Sequence, residues 1–183
     1  MTTTTTTPSL TSERADLLEA LRKHRGLFRH TVAGLTDELA SSRPTVSELC
    51  LGGLIKHVSA TEEEWCDFIT DGPAAPSDVD WSSIDWSNPP AEVIAYQNGF
   101  RMVEGETLAG LLAAYDEVAA ATDVLLAHVD LDARQPLPAA PWFEAGATWS
   151  ARRVFVHLVA ETAQPAGHAD ILRETIDGQK SMG

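Results

Sequence analysis

The chain has 183 residues, 44% hydrophobic and 22% charged, and a net charge of −14 at neutral pH. That length supports one domain with a full buried core. So acidic a balance argues against nucleic acid and against anionic membrane surfaces as partners.

Residues 1–10 are a Thr-rich tail without apolar periodicity, expected to fray. A first helix is predicted from about Thr11 to Gly34, with Leu17, Leu18, Leu21, Leu27, Phe28 and Val32 as its apolar stripe. His24 and His30 sit among Lys23, Arg25 and Arg29 and read as partly exposed helix residues. Residues 35–44 form a connector with one helical turn, capped by Thr36 and ended by Pro44.

The second long helix is predicted from about Ser47 to Thr70, with Leu49, Leu54, Val58, Trp65, Phe68 and Ile69 on its core face. Gly52 and Gly53 weaken it, each by about 1 kcal/mol relative to Ala. They also mark a place where another helix or a ligand can approach closely, and His57 lies one turn beyond. Glu62, Glu63 and Glu64 read as a solvated run, and Asp71-Gly72-Pro73 stops the helix.

A long irregular stretch follows to Gly105, with Asp80-Trp81 and Asp85-Trp86 expected to pin it to the body. The third helix opens at Thr107 and runs to about Val129 through Leu108, Leu111, Leu112, Tyr115, Val118, Val124, Leu125 and Leu126. A second polar stretch covers 130–147. Thr148 is then the expected cap of the fourth helix and Gly178 its C-terminal stop. Four long amphipathic segments without period-2 runs give an all-α fold, a four-helix bundle over residues 11–178 with two long connecting loops. Residues 179–183 form a short tail.

Cys50 and Cys66 lie about 24 Å apart along one helical segment and cannot pair. Both read as small buried groups in a reducing compartment. The opening MTTTTTTPS has no apolar run and no segment is long enough to span a bilayer, so a cytoplasmic location is expected.

The fourth helix carries the chemistry. At about 100° per residue, His157 lies about 40° and His168 about 20° to the same side of Glu161, so three potential ligands share one face. Pro165 occupies the position about 40° to the other side. Bundles build metal and ligand sites from inward-facing side chains on facing helices, and His57 supplies a partner on the second helix. A mixed imidazole and carboxylate set suits Zn²⁺, Ni²⁺ or Fe²⁺. The same pattern also describes buried histidines paired with Glu161 or with carbonyls. Arg152 and Arg153, in the first turn of this helix, are candidates, together with Trp65, to hold an anionic co-substrate; plain solvated arginines are the alternative. Trp65, Trp142 and Trp149 are core or rim aromatics first and pocket walls second, and Asp170, Arg173 and Glu174 read as surface ion pairs.

The runs LGGLIKHVSATEEEW (51–65), DVDWSSIDW (78–86), GETLAGLLAAYDEV (105–118) and HLVAETAQPAGHADILRETIDG (157–178) resemble the DinB-like superfamily. The similarity is greatest to the actinobacterial branch that includes mycothiol S-transferases. The resemblance implies a DinB-like four-helix bundle, often a homodimer, with a divalent metal near one end. It implies metal ligands at His57 and Glu161, and a third, a histidine, four residues after Glu161, where this chain has Pro165. Proline offers no ligand atom and no amide hydrogen for the Glu161 carbonyl, so a kink or break costing about 3 kcal/mol is expected there. Either His168, or as second choice His157, moves in as third ligand, helped by the kink and by Gly167, or the metal is lost. The function implied is transfer of a low-molecular-weight thiol of the mycothiol type to a small electrophile, with His57 and His168 as catalytic residues. The alternative is a metal-free relative that binds a small molecule in a stress response, or acts as an isomerase or cyclase.

Overall fold

Apolar periodicity and capping residues set the helices, and they fall close to the predicted spans. The computed structural model describes residues 10–75, 79 and 83–181; the expectations for the Thr run and for Asp80-Trp81 lie outside them. The elements are α1 (Ser12–His30), α2 (Asp37–Ser41), α3 (Leu51–Asp71), α4 (Ala91–Asn98), α5 (Leu108–His128), β1 (Arg134–Pro136), β2 (Thr148–Ser150) and α6 (Ala151–Asp177). The four long helices α1, α3, α5 and α6 form the bundle. The connections hold the short helix α4 and the two-stranded ladder, neither of which the sequence pattern announced.

Caps explain the boundaries. Thr36 Oγ1 accepts from the Leu39 amide at 3.3 Å, and Thr107 Oγ1 from the Gly110 amide at 3.1 Å. Gly178 ends α6 in the left-handed region at φ 79°, where a side chain would be strained. Thr148 does not cap α6. It pairs with Pro136 in the β1–β2 ladder, and Ser150 takes the cap, its Oγ accepting from the Arg153 amide at 3.2 Å.

Helix α6 packs against α1 and α3, and α3 also packs against α5. Two apolar clusters fill the interior. One centres on Phe28, Leu54, Ile55, Val58, Tyr115 and Leu172, the other on Leu21, Phe68, Leu126, Val154, Phe155 and Leu158. A polar layer separates them. Arg25 lies between Leu21 and Phe28, Glu62 between Val58 and Phe68, and Thr122 between Tyr115 and Leu126. Arg25 Nε donates to Glu62 Oε2 at 3.1 Å and its Nη2 pairs with Oε1, while Nη1 reaches Asp123 Oδ1 at 2.7 Å. Thr122 Oγ1 donates to Glu62 Oε1 at 2.6 Å.

This layer overturns the solvated reading of Glu62, which is 1% exposed. A carboxylate is tolerated there because a fork-shaped guanidinium and a hydroxyl replace its water. Arg173 is likewise not a surface group, although it does pair with Asp177, at 2.8 Å. It is buried, and its Nη1 donates to the carbonyls of Thr31 at 3.0 Å and Ala33 at 2.9 Å, groups that the end of α1 leaves without helical partners. Val124, assigned to the core stripe of α5, is exposed instead. The break expected at Pro165 is absent: α6 runs on through it. Leu158 and Thr162 before the proline and Ala169 and Leu172 after it are buried, so tertiary packing holds the helix where the backbone bond is missing.

Candidate functional site

The site forms where the first half of α6 faces the middle of α3. Spacing of four residues stacks His157 and Glu161 on one face, and His157 Nε2 lies 3.1 Å from Glu161 Oε1. A carboxylate oxygen facing Nε2 favours the neutral tautomer with its hydrogen there, which leaves the lone pair on Nδ1. Both side chains are partly exposed, His157 at 22% and Glu161 at 32%, so a small molecule can reach them.

Aromatic rings hold the His157 imidazole. Trp65 from α3 and Trp149 from β2 stack with centroids 5.0 Å apart and planes 19° apart. The His157 ring stands edge-on to each, 4.8 Å from both centroids. Phe143, from the loop before β2, packs edge-on to Trp149 at 5.6 Å, and the Arg153 guanidinium lies 4.1 Å from the Trp149 centroid. Trp65, Trp149 and Phe143 together flank the imidazole.

His57 approaches from α3. Its ring is tilted 32° against Phe100, with centroids 4.6 Å apart. Burial pushes the His57 imidazole below the ordinary histidine range, and the charges of Glu161 and then Glu64 only partly oppose this. Burial lowers His157 as well, against the attraction of Glu161, with Arg153 adding to the depression. Both imidazoles are accordingly neutral at neutral pH, and one carboxylate acts on both.

Gly52 and Gly53 explain how Phe100 reaches His57. A Cβ on Gly53 would lie 2.1 Å from the Phe100 carbonyl oxygen and 2.8 Å from the Arg101 Cα, and one on Gly52 would lie 2.2 Å from Met102 Sδ. The close approach anticipated at the glycine pair is made by residues 100–102, one helical turn before His57.

The remaining candidates are placed differently. Arg152 is taken up by Glu13 and Asp132, which raise its affinity for its proton and leave it committed to ion pairs. Arg153 stays exposed beside Trp149. His168 is exposed, and seven residues past Glu161 place it about 10 Å further along the helix. Among the described residues, no group of three His, Cys, Asp or Glu is placed to hold a metal ion. Pro165 lacks a donor atom, and His157 already bonds Glu161. The donors present do not fit the three-ligand centre that the resemblance implies, and His168 does not complete it.

Both cysteines are engaged elsewhere. Cys50 caps α3, its Sγ accepting from the Gly53 amide at 3.3 Å. Burial pushes the Cys66 thiol up to about 11, with its contact to Thr122 acting the other way. The sequence missed Phe100, although the glycine pair was its signal; the pairing of His157 with Glu161 stood there as the alternative to metal ligation, and their spacing of four is what signals it.

Among the described residues no helix is long and apolar enough to cross a membrane. The family model described as mycothiol-S-transferase matches residues 16–178. A solved structure described as the conserved protein of locus from Enterococcus faecalis superposes with a TM-score of 0.63 at 14% identity, covering 93% of this chain and 100% of that one. The colibactin self-resistance protein ClbS, solved in complex with a dsDNA, superposes with a TM-score of 0.57 at 17% identity, covering 92% and 98%. At these identities the two likenesses are of fold alone. Comparison with curated proteins finds no match.

Proposed function

Because this chain belongs to the mycothiol-S-transferase family, we propose that it conjugates a low-molecular-weight thiol to a small electrophile, using an imidazole base held by Glu161. The observation that carries this reading is the His157–Glu161 pair, its imidazole set edge-on against the stacked Trp65 and Trp149. The nucleophile comes from outside, since Cys50 is buried at 1% exposure and Cys66 is held protonated.

A free thiol has a pKa of about 8.5, so most of it is protonated at neutral pH. The thiol S–H gives its proton to His157 Nδ1, whose basicity Glu161 supports through Nε2. The sulfur lone pair forms the new S–C bond while the leaving group departs with its bonding electrons. The imidazolium then releases the proton to the leaving group or to water. The stacked tryptophans exclude water on one side and fix the imidazole plane. His57, neutral and braced by Phe100, hydrogen-bonds a polar atom of thiol or electrophile. With the third donor position occupied by Pro165, no step here passes through a metal.

The test is thiol-dependent consumption of monochlorobimane with mycothiol as donor. His157→Ala should lower kcat/KM by about 100-fold or more, the usual contribution of a positioned base. Undiminished turnover in that variant would refute the assignment.

A further inference from the structure

A second cleft lies behind Phe100. It encloses about 360 Å³ between α4 and the loop that precedes α3, and Arg43, Glu48, Leu49, Tyr96, Phe100 and Arg101 are among its lining. Two guanidinium groups face one carboxylate there, which leaves one net positive charge on a chain whose total is −14. Arg43 pairs with Glu48 on an exposed rim.

Arg101 differs from the other cleft charges. Its Nε and Nη2 both donate to the Asn98 side-chain oxygen, at 2.9 and 2.6 Å, and among the described residues it has no carboxylate partner. Asn98 orients the guanidinium without neutralising it. The backbone beneath is fixed as well, since Gly53 admits the Phe100 carbonyl and the Arg101 Cα closer than any side chain allows. Tyr96 stands edge-on to Phe100 at 5.1 Å, so flat apolar surface lies beside the oriented cation.

We propose that this cleft binds a small carboxylate carried on a flat apolar group, with Arg101 as its anchor and Phe100 as the wall it shares with His57. A guanidinium fork takes either a carboxylate or a phosphate, and one net positive charge beside aromatic rings balances a monoanionic carboxylate. Because Phe100 also stacks on His57, occupation of the cleft is felt at the imidazole. This inference does not depend on the thiol chemistry proposed above.

Benzoate is the probe, and benzamide is its neutral isostere. Both are titrated into the ¹⁵N-labelled full chain with the histidine ring resonances recorded alongside. Benzoate should shift the Tyr96, Phe100 and Arg101 amides saturably and move the His57 ring signals with the same midpoint. Benzamide should bind at least about tenfold more weakly. Arg101→Gln should abolish the preference for benzoate, and Arg101→Lys should retain part of it. No saturable shift, or equal binding of the two probes by the native chain, overturns the site. Cleft shifts with an unmoved His57 ring overturn the link through Phe100. Neither result bears on turnover of monochlorobimane, which tests the base separately.

Discussion

Replacing Pro165 with histidine restores the residue type implied by the family resemblance and removes a helix defect at the same time. The native proline cannot donate to the Glu161 carbonyl, and its ring crowds that carbonyl, a burden of about 3 kcal/mol in a helix interior. Helix α6 continues on both sides of the position, so a residue with an amide hydrogen can complete the ladder without rebuilding the packing. For a chain of this size about 3 kcal/mol corresponds to a rise in Tm of about 6–12 °C, and partial relaxation around the native proline makes this an upper bound. Pro165→Ala isolates the backbone effect; Pro165→His adds an imidazole four residues after Glu161, on the face that meets His57. Scanning calorimetry should show both variants melting above the native chain. Isothermal titration with Zn²⁺ or Ni²⁺ on chelator-stripped protein should show one-to-one binding for Pro165→His alone. If the native chain binds as tightly as that variant, or the variant binds nothing, the reasoning about the missing donor is wrong.

Three further outcomes follow from the geometry. Glu62→Gln leaves Arg25 without its bidentate partner in a buried layer and should cost about 3 kcal/mol in urea unfolding; a loss near zero would mean that Asp123 alone neutralises Arg25. Gly53→Ala drives a methyl into the Phe100 carbonyl and should destabilise the chain by at least about 2 kcal/mol while displacing Phe100 from His57, which the histidine ring shifts report; an unchanged spectrum would contradict the close approach. His57 and His157 have folded values below the unfolded 6.5, so the unfolded chain takes up protons first as pH falls. Their contribution is present above about pH 6.5 and is lost as pH drops through that value towards the folded ones. The urea midpoint should be lower at pH 5.5 than at pH 7.5, and a double His→Gln variant should flatten the difference.

The four long helices were legible because apolar periodicity and the caps Thr107 and Gly178 are local signals. The errors share a cause, which is that the deciding partner is remote in sequence. Glu62 resembles its neighbours Glu63 and Glu64, and only Arg25, 37 positions earlier, makes it a core residue. Arg173 looks like one half of a surface pair until the carbonyls at the end of α1 reach it. Thr148 is a sound cap by composition, but pairing with β1 moved the helix start to Ser150. At the site, the His157–Glu161 spacing was readable and its meaning was not. The tryptophans that fix the imidazole come from α3 and β2, and no period in the sequence joins them.

The central claim is that Glu161 and His157, rather than a three-ligand metal centre, supply the base. Steady-state conjugation of mycothiol to monochlorobimane by chelator-stripped protein tests it directly, with and without added Zn²⁺ or Ni²⁺. The stripped chain should turn over at an unchanged rate, and Glu161→Gln should be slower by about 100-fold under both conditions. A stripped protein that is inert until metal is returned would contradict the claim.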